Sequence, residues 1–99
     1  MDEGEVRRHA EEHAQATVEG DLSRAGRDLS PGAVGNARTV MEAFPSDLRA
    51  WEIRSVTASG NEWVVDIAYL GTDSEALVRS RWKDDEGTPR IASLELPSG

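Results

Sequence analysis

The second half of the chain carries three turn signals, Gly60-Asn61, Thr72-Asp73 and Asp85-Glu86-Gly87, spaced so that β-strands fit between them. Taking Thr72-Asp73 as a two-residue hairpin loop sets Tyr69 opposite Ala76, Ile67 opposite Val78, Val65 opposite Ser80 and Trp63 opposite Trp82. That face is nearly all apolar. The same register sets Asp66 against Arg79 and Glu62 against Lys83 on the other face. Side chains alternate with a period of two, so a slip by one residue would exchange the two faces. The pattern therefore fixes one pairing.

Four strands follow: Leu48–Ser59, Glu62–Leu70, Glu75–Asp84 and Thr88–Leu96. The first changes apolar parity between Ile53 and Val56. A bulge near Arg54-Ser55 would keep Trp51, Ile53, Val56 and Ala58 on one face. The last has the same difficulty between Ile91 and Leu94, which leaves its register open. Pro89 has no N–H for a ladder, which suits a strand start or an unpaired side.

The first half reads as three helices. Asp2 can cap the first, with Glu5 three residues on as in a capping box. Val6, Ala10, His13 and Thr17 fall on one stripe, and Gly20 stops the run. Asp21 can cap a short second helix to about Leu29, burying Leu22, Ala25 and Leu29. Ser30-Pro31 reads as a cap followed by proline at the first helical position. Ala33, Val34, Ala37, Val40, Met41 and Phe44 follow at helical spacing, and Pro45 ends the helix.

Helices first and strands second give an α+β domain, residues 1–99, with three N-terminal helices on one face of a four-stranded antiparallel meander sheet. A chain of 99 residues buries roughly 60–70% of its unfolded surface, enough for one core. The net charge is −8, and the eleven basic residues, ten of them Arg, are scattered. A phosphate-rich partner would be repelled, so neither nucleic acid nor an anionic membrane is expected. Cysteine is absent, which excludes disulfides, thiolate metal sites and thiol catalysis. The acidic start and the lack of a long apolar run point to a cytoplasmic chain, and the Arg, Ala and Gly usage to a bacterial one.

The layout resembles the nuclear transport factor 2-like superfamily, which includes the SnoaL-like cyclases and ketosteroid isomerase. The resemblance rests on Val18-Glu19-Gly20-Asp21-Leu22 after the first helix, on Phe44-Pro45 before the sheet, and on Arg81-Trp82-Lys83-Asp84-Asp85-Glu86-Gly87-Thr88-Pro89-Arg90-Ile91. This last run is similar to the family's tryptophan strand, acidic-glycine turn and closing strand. The resemblance implies a cystatin-like cone that binds small hydrophobic molecules or dimerises through its sheet. Two departures stand out. Pro89 replaces the family's usual second tryptophan, and the segment that walls the pocket shrinks to Ser30-Pro31-Gly32.

Several residues are candidates for chemistry. His9-Ala10-Glu11-Glu12-His13 spells H-x-x-E-H, but without a third ligand or a cleft the string carries no metalloprotease, and no metal or cofactor is expected. His13 lies within the apolar stripe and could serve as a general base, with Tyr69 as hydrogen-bond donor. Set against this is a plain buried histidine bonded to the backbone. Trp51, Trp63, Tyr69, Ser80 and Trp82 either wall a pocket for a small hydrophobic molecule or simply form the core. Asp66 faces outward against Arg79, so the inward carboxylate of an isomerase is missing. Val64, Ala68, Leu70 and Leu77 give the outer sheet face an apolar patch suited to a homodimer. The expectation is thus a non-catalytic ligand- or partner-binding domain, with a small cyclase, isomerase or dehydratase as the alternative.

Overall fold

A computed structural model describes residues 1–97. Helix α1 spans Glu3–Val18 and α2 spans Leu22–Gly26; a 3₁₀ turn at Pro31–Ala33 leads into α3, Val34–Met41. The strands β1 (Ala50–Ser59), β2 (Glu62–Leu70), β3 (Glu75–Asp85) and β4 (Thr88–Glu95) form one antiparallel sheet in the order β1-β2-β3-β4. The chain is therefore α+β, helices followed by a four-stranded antiparallel sheet. Among the described residues no helix is long and apolar enough to cross a membrane.

The central hairpin has the register its turn chemistry dictates. Trp63 pairs with Trp82, Val65 with Ser80, Ile67 with Val78 and Tyr69 with Ala76. The Gly71 N–H donates to the Ser74 carbonyl at 2.8 Å, closing the loop around Thr72-Asp73. The bulge in β1 lies between Ile53 and Ser55, so Trp51, Ile53, Val56 and Ala58 keep the parity of Tyr69, Ile67, Val65 and Trp63. At the other hairpins, Gly60 (φ 61°) opens a two-residue turn, while Glu86 (φ 55°) and Gly87 (φ 88°) both occupy the left-handed region. That pair makes the primed turn whose twist suits a tight hairpin.

The open register of β4 is resolved by a second bulge. Ser93 pairs with Arg81 and Ile91 with Trp82, which leaves Ala92 as the extra residue. Ile91 and Leu94 can then both point to the helices. Pro89 pairs with Asp84 on this edge strand, where a missing donor does least harm. The edge itself is partly covered by residues 28–30. Leu29 bridges Ile91 in parallel, the Ile91 N–H donates to the Asp28 carbonyl at 2.6 Å, and the Ser30 N–H donates to the Ile91 carbonyl at 2.9 Å.

One buried cluster joins the layers: Val6, Ala10 and Ala14 of α1, Val40 of α3, and Val65, Ile67, Val78, Trp82, Ile91 and Leu94 of the sheet. Alanines on α1 let its backbone approach the sheet closely. Trp82 is fully buried, and its indole N–H donates to Ser80 Oγ at 2.9 Å while the Ser80 hydroxyl donates to the Val65 carbonyl at 2.9 Å. Ser80 is thus a structural bridge for two buried polar groups that would otherwise be costly.

Several local expectations are corrected. α2 ends at Gly26, not Leu29, and Leu22 is 54% exposed because so short a helix cannot turn it onto the core. Ser30 makes no side-chain cap; its hydroxyl donates instead to the Ile91 carbonyl at 2.8 Å, since the edge strand offers a better partner. Val34 and Met41 stand on an exposed side of α3 at 57% and 41%. The β2–β3 register agrees with Glu62 standing across from Lys83, and the Glu62 carboxylate reaches diagonally to Arg81 at 3.7 Å.

On the outer sheet face, Arg79 holds Asp66 in a two-pronged bond of 2.9 and 3.1 Å, and Arg54 bridges Glu52 and Glu75. Exposed pairs of this kind contribute roughly 0–1 kcal/mol each, so they tidy the face more than they hold the fold.

A tighter constraint lies where the α3–β1 connection crosses the β2–β3 hairpin. The Thr72 hydroxyl, and after it the Thr72 N–H, which donates to Asp47 Oδ2 at 2.9 Å, hold the Asp47 carboxyl below the usual range. Gly71 sits beneath: a Cβ there would collide with the Asp47 carboxylate and lie 2.6 Å from Pro45 Cβ. Gly71→Ala should therefore destabilise the fold by about 1–3 kcal/mol, the usual cost of overpacking. Urea denaturation would measure it, and an unchanged midpoint would contradict this packing.

Candidate functional site

The helical layer does not fill the inner face completely. A partly enclosed cavity of about 100 Å³ lies between α1, α2, α3 and the sheet. Ten of its thirteen lining residues are apolar, Leu29, Val40, Phe44 and Leu94 among them, and the polar remainder is His13, Thr17 and Tyr69. The alternation of β2 turns Tyr69 inward, and the stripe of α1 brings His13 and Thr17 to the same space.

Tyr69 is 2% exposed, with the Phe44 ring tilted against it at a centroid distance of 4.7 Å. Burial pushes its phenol up to about 12, with a smaller opposing effect from the Thr17 hydroxyl. At neutral pH the group is a neutral hydroxyl, able to donate one hydrogen bond and accept another.

His13 is held in place by a residue that the sequence did not single out. Its Nδ1 lies 3.1 Å from Asp28 Oδ2, and its ring meets Trp82 edge-on at 6.1 Å. Asp28 is delivered there by the backbone bonds that tie residues 28–30 to Ile91. In this bond the Nδ1–H donates and the Asp28 carboxylate accepts, which fixes the orientation of the ring. Among the described residues no side-chain nitrogen or oxygen is buried without a partner.

The other candidates lie elsewhere. Ser80 and Trp82 are bonded to each other within the core. The Trp51 indole N–H donates to Gln15 Oε1 at 2.7 Å, at the rim between α1 and β1. Trp63 lines a separate surface depression with Met1, Gly60 and Asp84. The structure thus brings together His13 and Tyr69; Trp51 pairs with Tyr69 but bonds to Gln15 at the rim, while Trp63 and Trp82 lie toward the opposite end of the β2–β3 hairpin, Trp82 still meeting His13 edge-on. The cavity instead draws its walls from Leu29, Phe44 and Leu94. Asp28 could have been found only by knowing that residues 28–30 return to β4, a contact 63 residues away in Arg90–Arg27 as well. Among the described residues no group of three histidine, aspartate or glutamate side chains is placed to hold a metal ion; His9 and His13 have no third ligand.

No family model matches the chain, and no curated protein matches it in sequence.

Proposed function

We propose that this is a small nuclear transport factor 2-like domain that binds one small apolar molecule without turning it over. The observation that carries this reading is the partly enclosed apolar cavity with only three polar residues in its wall. Sites of that character suit ligands that bury hydrocarbon and make one or two directed hydrogen bonds, here to Tyr69 or His13. The volume sets a ceiling: an apolar cavity of roughly 150 Å³ accepts benzene, and this one is somewhat smaller unless the ligand reaches its mouth.

A second reading is supported by the His13–Asp28 bond. With Asp28 orienting the ring, Nε2 of His13 could remove a proton from a bound molecule while Tyr69 donates to the developing charge, as in a small cyclase, isomerase or dehydratase. Recovery of an unaltered ligand after long incubation separates the two readings.

Titration with benzene followed by amide NMR is expected to shift the signals of Thr17, Tyr69 and Val78, with Kd of about 1 mM or tighter. Ala37→Leu places a larger side chain in the wall and should abolish those shifts while leaving the thermal midpoint nearly unchanged. Absence of any shift at these amides in the wild-type chain would remove the proposal.

The same reading includes pairing of two copies through the outer sheet face. In its support, Val64, Leu70 and Leu77 are only half-buried there, around a fully buried Ala68, and the flanking charges are of both signs, as a self-complementary face requires. Sedimentation should give twice the 10.8 kDa chain mass, reverting to one chain in Leu77→Glu. A single-chain mass for the wild type at high micromolar concentration would contradict it.

A further inference from the structure

Among the described residues five large apolar side chains are exposed, and three of them, Leu22, Val34 and Met41, gather at the cavity and the groove beside it. Leu22 and Met41 form part of its wall and are themselves 54% and 41% exposed. Beyond them, Val34 at 57% exposure, Met41, Ala37 and Leu29 line a shallow groove along α3. Leu29, Ala37 and Met41 belong to both spaces, so cavity and groove form one continuous apolar track. Arg38 and Glu42 flank the groove. Arg38 is the basic residue in the groove wall, and like Arg7, Arg8, Arg24, Arg27, Arg49 and Lys83 it has no carboxylate within ion-pair distance among the described residues.

We propose that the ligand is a straight-chain aliphatic carboxylate, its tail in the cavity and its carboxylate outside at Arg38. This rests on the apolar-ligand reading above and narrows it. The cavity alone is too small for a fused or substituted ring, whereas an unbranched chain is narrow enough to enter and long enough to continue over Met41 and Val34. The charge sets the direction. A carboxylate at the inner end would lose its water and lie near Asp28, which already occupies His13. At the outer end it stays hydrated and meets the one cation of the groove, while Glu42 confines it to the Arg38 side.

The test is calorimetric titration with sodium butanoate, hexanoate, octanoate and decanoate, with the primary alcohols of equal length and with cyclohexanecarboxylate. Affinity should rise about fourfold per methylene, the weight of one buried CH₂, and level off once the track is full. Acids should bind several-fold tighter than alcohols at low salt, and the cyclic acid should not bind. Val34→Asp, an exposed position that the fold does not need, should flatten the series for octanoate and decanoate while leaving benzene binding intact. Arg38→Glu should reverse the preference for acids over alcohols. A flat chain-length series with benzene binding intact would overturn this inference and leave the cavity reading standing; loss of both would sink the two together. Self-association abolished by Val34→Asp but not by Leu77→Glu would assign the groove to a second copy instead, and would also overturn it.

Discussion

The alternation of side chains along β2 and β3 is the constraint from which the rest follows. Val65, Ile67 and Tyr69 face the helices together with Val78, Ser80 and Trp82, while Asp66 and Arg79 close on each other outside. A shift of one residue would bring that ion pair into the core, where an unmatched charge is far more costly than any strand pairing could offset. The pairing thus keeps two faces apart: one makes core and cavity, the other carries the Asp66–Arg79 pair beside the half-buried Val64, Leu70 and Leu77.

On that inner face α1 packs across β1 and β2, and the segment after α2 ties the rest of the helical layer to the β4 edge. Residues 28–30 lie along β4 and give Ile91 two backbone partners that an edge strand otherwise lacks. Consequences reach beyond the edge. The Asp28 side chain is brought to His13, and the chain leaves the sheet directly into Pro31 and α3, which roofs the cavity. Where the helices are too short to close fully, Leu22, Val34 and Met41 stay in water around the opening. A remaining cavity is a packing cost, and exposed apolar side chains at its mouth make ligand burial favourable.

The sheet was legible in the sequence because its signals are local. Turn residues such as Gly60-Asn61 and Glu86-Gly87, the alternation around Tyr69, and the parity change at Arg54-Ser55 each act within a few residues. The β4 bulge at Ala92 was visible only as an inconsistency between Ile91 and Leu94. Helix ends were less legible. Ser30-Pro31 has the form of a cap, yet Ser30 bonds to Ile91, because a buried strand carbonyl competes better than the first turn of a short helix. Of the candidate site, His13 and Tyr69 could be placed from periodicity alone. Asp28, Leu29 and Leu94 could not, since their positions depend on contacts between segments far apart in the chain. For the tryptophans, inward parity says which face of the sheet they are on, and they pack in or against the core, but it does not say where along the strands a cavity will open.

Tyr69 is the chain's single tyrosine, so its ionisation can be read without interference. A tyrosine turned inward, buried by Phe44 and the helical layer, has its pKa raised to about 12. Because the folded value is raised above the ordinary value of about 10, Tyr69 contributes fully to stability below pH 10 and that contribution is lost as the pH rises through 12. Ultraviolet absorbance of tyrosinate, recorded with circular dichroism to mark where the fold is retained, should show no ionisation at pH 10 and a midpoint near 12. A midpoint near 10 in the folded protein would place Tyr69 in water, and with it the inner face of the sheet.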